Sequence, residues 1–367
     1  MNHSRYEKAG IADVARKLET GERLQVEDGV RLFECPDIHA VGFLAHRERL
    51  GKNGKRAYFI VNRHINYSNV CKNHCKFCAF SRRERQPGGY TMTVDEILRR
   101  ASEAPSGVSE FHIVGGCHPK LKIEYYEEML SRLREKFPNV HMQAFTAVEI
   151  AHIADVSELT VRETLMRLKA AGLGSIPGGG AEVMSARVRS LTCSEKLPGR
   201  GWLDVMREAH SIGIKSNATM LYGHVETFRE RVEHLLELRQ LQDETGGFMS
   251  FIPLAFHPAN TGMPGIRGPG ASDNLKTIAV CRLMLDNFPH IKAFWIMLTA
   301  KLAQTALLYG ADDLDGTVVE EKITHSAGAT TPEQLSRDEL VGLIKDAGLE
   351  PVERDTVYNV ITRTVKS

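Results

Sequence analysis

Apolar residues in the first fifty positions recur at helical spacing. Ile11, Val14, Ala15 and Leu18 share one face, and a second such run covers 38–50. Residues 1–56 are therefore expected to form a helical lead-in layer. The stretch AYFIVNRHIN at 57–66 reads as a strand that runs directly into a loop with three cysteines. Beyond that loop, strand and helix patterns trade places. Thr93 with Glu96, Thr160 with Glu163 and Ser336 with Glu339 have the spacing of a capping box, where hydroxyl and carboxylate each accept from the other's backbone N–H. Strands are expected at 110–114, 141–145, 174–176, 214–221, 248–256, 292–297 and 312–316, with helices at 123–137, 202–211, 227–242, 275–286 and 299–309. With 57–66 this makes about eight strand–helix units, which predicts an α/β TIM-like (βα)8 barrel over 57–330. Residues 331–367 are expected to add a helix and strand that complete it. An open doubly wound sheet has the same alternation, so periodicity alone leaves that choice open. Gly and Pro between Asn260 and Ala271 mark a long loop after the sixth strand, at the barrel end where loops commonly cover substrate.

Charge narrows the partners. Lys plus Arg number 47 against 46 for Asp plus Glu, so no field gathers nucleic acid or anionic membrane, and a small molecule is the expected partner. Neither the first 24 residues nor any later stretch offers the long apolar run of a signal peptide or membrane span, so the expected location is cytoplasmic. Arg82, Arg83, Glu84 and Arg85 read as a solvated turn. The seven cysteines are an odd number, and three crowd into eight positions while Cys35, Cys117, Cys193 and Cys281 are scattered, a ligand cluster and not a disulfide framework.

Three thiolates in C-x3-C-x2-C spacing, Cys71, Cys75 and Cys78, can each take one corner of a 4Fe-4S cubane and leave the fourth iron open to chelate a small molecule. A structural zinc site is the alternative. It needs a fourth ligand, for which His74 is the candidate, and usually paired C-x2-C halves, which this chain lacks. Phe77, between two ligands, would keep a cluster edge dry or simply pack the loop. Cys117 ends the second expected strand on the same side of the barrel.

CKNHCKFC after the first strand has the spacing that marks the radical S-adenosylmethionine (SAM) superfamily. Further segments resemble one branch of it, the aminofutalosine synthases of the futalosine route to menaquinone: INYSNVCKNHCKFCAFSR, FHIVGGCHP, SIPGGGAEVMSARVRS, SNATMLYGHVET, LRQLQDETGGFMSFIPLAF, LKTIA and KLAQTALLYGADDLDGT. The resemblance implies a radical SAM barrel with a (βα)6 core. It also implies that the reduced cluster passes an electron to the sulfonium of SAM, which breaks to methionine and a 5'-deoxyadenosyl radical. In that family SAM is consumed, its radical adds to the vinyl group of 3-[(1-carboxyvinyl)oxy]benzoate, and aminodeoxyfutalosine, methionine and bicarbonate result. A flavodoxin- or ferredoxin-type reductant would feed the cluster, and a homodimer stays open.

The resemblance also assigns residues. Gly115 and Gly116 match the glycines that approach the methionine amino group, followed here by Cys117 where the superfamily often has Glu. Thr146 and Glu149 sit where ribose contacts come from, although both types also start helices. Glu182 falls in the adenine-binding segment, one residue late for the commonest spacing, and Arg189 would pair the methionine carboxylate as a planar fork. For the second substrate, Asn217, Thr219, His224 and His257 are the candidates, against the plainer reading that a histidine near a strand end is structurally satisfied. A ring-closing sister of the pathway, cyclic dehypoxanthinyl futalosine synthase, shares the cluster loop, but PGGGAEV and SNATMLYGH look more like the aminofutalosine synthases. Biotin-synthase-like chemistry lacks a second cysteine set. A structural metal-binding module without catalysis is the non-enzyme reading.

Overall fold

In the computed structural model, which describes residues 3–362, the segment read as one strand at 57–66 divides at Val61 into β1 (Arg56–Ile60) and β2 (Asn62–Ile65). From β2 the strands follow chain order in one curled parallel sheet: β3 (Glu110–Ile113), β4 (His141–Ala144), β5 (Ser175–Ile176), β6 (Lys215–Tyr222), β7 (Phe248–Ala255) and β8 (His290–Ile291). β1 pairs with β9 (Asp313–Gly316) on one side and β10 (Glu350–Glu353) on the other. Single parallel bridges, Lys292 to Asp313 and Arg63 to Val319, link the end of β8 to β9 and the chain after β9 back to β2. The curl thus returns on itself in the TIM-like order, with β9 as the eighth barrel strand and β10 outside the ring. Parallel neighbours need long crossovers, and helices supply them on the outer face.

One expected strand is different. At 292–297 the ladder stops after Ala293, whose N–H reaches Asp313 O, and Trp295–Leu298 is a helical turn. An unbroken apolar run such as AFWIML has no periodicity to separate the two forms. Burial of Trp295, with its indole N–H on Gly316 O at 2.8 Å, favours the turn. The three capping boxes read from sequence are present.

Among the described residues four helices precede β1, and two of them, Val26–Glu34 and Ile38–Asn53, pack on the barrel helices Phe228–Thr245 and Ala271–Met284. Buried Arg49 fastens this layer to the barrel base, donating to Gly54 O, Arg56 O and Ala311 O. No described helix is long and apolar enough to cross a membrane.

The main apolar core lies between sheet and helices, around residues such as Phe111, Ile113, Ile176 and Phe251. The barrel interior is largely polar instead. Asn62 donates to Glu110, Gln143 to Ser175, Asn217 to Gln143 and Ser250 to Asn217, while Arg354 pairs with Asp313 and Arg282 with Asp312. Such groups are tolerated because each has a partner, and loss of one partner costs about 1–3 kcal/mol.

Candidate active site

Strand ends at one rim of the barrel open into a cavity of about 300 Å³. The cysteine loop forms one wall. All three loop cysteines are free, partly exposed thiols on this cavity, and Phe77 lines it beside them. The loop is held by backbone bonds: Cys71 N–H to Arg82 O, Lys72 N–H to Cys117 O, Lys76 N–H to Thr192 O, and Gly262 N–H to Lys76 O. The last comes from the long loop after β7, which therefore reaches the cysteines as its position suggested.

Gly116 fixes how closely β3's end approaches this loop. A Cβ there would lie 2.2 Å from Val70 O and 3.1 Å from Cys71 Cβ, so only glycine fits. The next N–H, of Cys117, points at Cys71 Sγ at 3.4 Å; the hydrogen bond with the Cys117 side chain, against burial and helped by backbone N–H groups, holds the Cys71 thiol down at about 6. Burial pushes the Cys75 thiol up to about 12. Cys117 itself is buried in the cavity wall, its sulfur facing Asn73 Nδ2 and Val148 O.

These features fit a cubane: a glycine-cleared cradle, an N–H aimed at a thiolate, and three free thiols on one cavity. They fit zinc poorly. His74 turns away to Glu195, Nδ1 to Oε2 at 2.7 Å, and among the described residues no three His, Cys, Asp or Glu groups converge on a single ion. A cubane spreads its ligands over separate irons.

Thr146 and Glu149 line the cavity as the first turn of helix Ala147–Val156 and form a buried capping box. Glu149 accepts from Thr146 N–H, Tyr67 O–H and Gly115 N–H at 2.8, 2.8 and 2.9 Å, so this carboxylate also positions the glycine pair. Burial raises it to about 7 against those hydrogen bonds. The PGGG turn lies against β6, where Gly178 has φ +88° and its carbonyl accepts from Thr219 Oγ1 at 2.9 Å. Glu182 follows, on the cavity, paired with Lys196 at 2.5 Å. Burial opposes the Lys196 charge, but Glu182 and then Cys75 raise its pKa above the ordinary value. His257 lines the cavity with Nε2 on Met297 O at 3.1 Å.

Three candidates lie elsewhere. Arg189 is buried, and its guanidinium donates to Ala181 O and Leu197 O, clamping the backbone that presents Glu182. Asn217 belongs to the polar ladder inside the barrel. His224 is closed in by Val225 N–H on Nδ1 and Leu221 O at Nε2, the structural reading of a strand-end histidine. Sequence reasoning missed Lys196, His64, His112 and Asp315, all on the cavity. Lys196 sits in a loop without pattern, but Asn62, His64 and Asn66 alternate along a strand, which places polar groups on one face.

With this geometry in place, comparison with known proteins is specific. The radical SAM superfamily matches residues 65–238, and the CofH/MqnC C-terminal region matches 245–366. The chain is similar to the aminodeoxyfutalosine synthase of Thermus thermophilus, 44% identical over 356 residues and 96% of each chain. It is also similar to the 5-amino-6-(D-ribitylamino)uracil–L-tyrosine 4-hydroxyphenyl transferase of Methanopyrus kandleri, 40% identical over 89% of this chain and 90% of the other. In fold it resembles the FeFe-hydrogenase maturase HydG of Carboxydothermus hydrogenoformans, with TM-score 0.73, 18% identity, and 96% of this chain and 82% of that one covered.

Proposed function

The chain belongs to the aminodeoxyfutalosine synthase family of radical SAM enzymes, and on that premise we propose that it joins the adenosyl group of SAM to 3-[(1-carboxyvinyl)oxy]benzoate. The balanced outcome is aminodeoxyfutalosine, methionine and bicarbonate, with one water consumed. The supporting observation is a single cavity that has Cys71, Cys75 and Cys78 at one end and room beyond them for a second, partly apolar substrate. When bound, a 4Fe-4S cluster supplies the electron that cleaves SAM.

The chain's own residues supply position and shelter. Cys71, Cys75 and Cys78 hold three irons. Gly115 and Gly116 let the strand end pack against Tyr67 and Val70 and so bring backbone toward the methionine amino end, and Glu149 fixes that strand end through Gly115 N–H. Thr146 and Glu182 edge the nucleoside side, and Lys196 pairs with Glu182 and holds it in place. Phe77 and the loop after β7 keep water from the reacting end. The electron comes from a flavodoxin- or ferredoxin-type donor, and the protein works in the cytoplasm.

The test is to reconstitute the protein anaerobically, reduce it, add SAM and the enolpyruvyl benzoate, and weigh the products. An adenosyl adduct lacking one carboxyl carbon supports the synthase. Finding 5'-deoxyadenosine alone rejects it in favour of a hydrogen-abstracting relative. Transfer of a hydroxyphenyl group from tyrosine to 5-amino-6-(D-ribitylamino)uracil would select the activity named for the Methanopyrus relative.

A further inference from the structure

Four histidines are buried among the described residues, and three have hydrogen-bond partners: His152 at His118 O, His234 at Thr219 O and His290 at Asp312. His64 has none. It is 8% exposed, it lines the cavity, and neither ring nitrogen is among the sealed polar atoms that lack partners. A buried polar group without a partner is costly, so an open imidazole edge on a cavity points to a ligand.

Its surroundings describe that ligand. His64 on β2 stands in register with His112 on β3, and the two rings stack at 4.3 Å and 12°. Burial first, then His112 and Lys292, hold its pKa well below the ordinary value, so the ring is neutral and offers one N–H and one lone pair. Lys292, 5% exposed, lies 3.5 Å from Asp315, so the one carboxylate that β9 turns to this floor has a cation beside it. Ile252, Leu254, Phe294 and Met297 give the cavity an apolar wall suited to a flat ring.

Depth orients the guest. Cys71 follows His64 by seven residues, so the histidine lies on the strand below the cysteine rim. A vinyl ether that reacts with the adenosyl group must sit at that rim, which turns the other end of its molecule toward the floor. Resting on the function proposed above, we infer that His64 binds the ring carboxylate of the second substrate, donating its N–H while the aryl ring lies on the apolar wall. The second substrate's anchor is thereby set on β2 and β3, across the barrel from the β6 candidates Asn217 and Thr219.

The test uses anaerobically reconstituted holoenzyme with SAM and no reductant. Calorimetry would measure Kd for 3-[(1-carboxyvinyl)oxy]benzoate and for 2-phenoxyacrylate, which lacks the ring carboxylate. His64→Phe keeps a flat ring against His112 and removes both nitrogens, His64→Leu is a second apolar variant, and His64→Gln restores a donor. Iron content and circular dichroism select folded, loaded samples. Loss of a hydrogen bond to a charged group predicts about 10- to 100-fold weaker binding of the benzoate in the apolar variants. His64→Gln should recover much of this, and 2-phenoxyacrylate should bind all forms alike. An unchanged benzoate Kd in a folded apolar variant overturns the inference, as does an equal loss for both ligands. If the unsubstituted enzyme cleaves SAM yet forms no benzoate adduct, the function itself has failed and the inference falls with it.

Discussion

Lys196→Met should destabilise the protein far more than its loss of one surface-like charge suggests. The ammonium lies 2.5 Å from Glu182, and the two side chains are only 13% and 10% exposed. At an effective dielectric of about 20, this pair attracts by roughly 7 kcal/mol, and taking each ion out of water costs several kcal/mol, so the intact pair is nearly neutral in net effect. Removing one partner leaves the cost of the other. Breaking a buried pair typically costs about 3–5 kcal/mol. With an unfolding entropy of about 2.1 cal/mol/K per residue, that corresponds to a fall in Tm of roughly 4–6 °C for this chain. The double variant Lys196→Met, Glu182→Gln removes the stranded charge and should recover more than half of the loss. Scanning calorimetry on the single and double variants, at matched iron content, measures both. A single variant with unchanged Tm, or a double variant no better than the single, refutes a buried charge pair at this site.

Glu149→Gln should flatten the pH dependence of stability. Its folded pKa of about 7 lies above the ordinary 4.5, so its contribution is full below the unfolded value and is lost as pH rises through 7. Urea titrations at about pH 5 and pH 8 should differ less in the variant, by up to about 3 kcal/mol. Gly116→Ala places a Cβ 2.2 Å from Val70 O, so the cysteine loop must shift, and iron bound per chain should fall while far-ultraviolet circular dichroism is kept. Cys75→Ala should stay folded but lose iron and SAM cleavage; a collapsed dichroism spectrum would favour the structural metal module instead.

The strand–helix alternation, the capping boxes and the cysteine spacing were legible because each is a local property. Thr160 can cap only its own helix, and three thiols within eight residues must share a loop. Local pattern failed where the tertiary fold chose. AFWIML is apolar in either form, and Trp295 became helical because its indole meets Gly316 on the neighbouring strand β9. Val61 breaks the first strand because β1 and β2 pair with different partners.

The site divides in the same way. Sequence by itself marked the three cysteines of one loop and the glycines that let the backbone approach them. Only the assembled barrel decided which polar side chains face the cavity and which spend their hydrogen bonds on the backbone. Arg189 holds carbonyls, His224 closes on its own loop, and Asn217 joins the interior ladder, whereas Lys196, Asp315 and His64 come to the cavity from segments far apart in the chain. A hydrogen bond depends on direction and distance between chain-distant groups, and neither is present until the strands have closed.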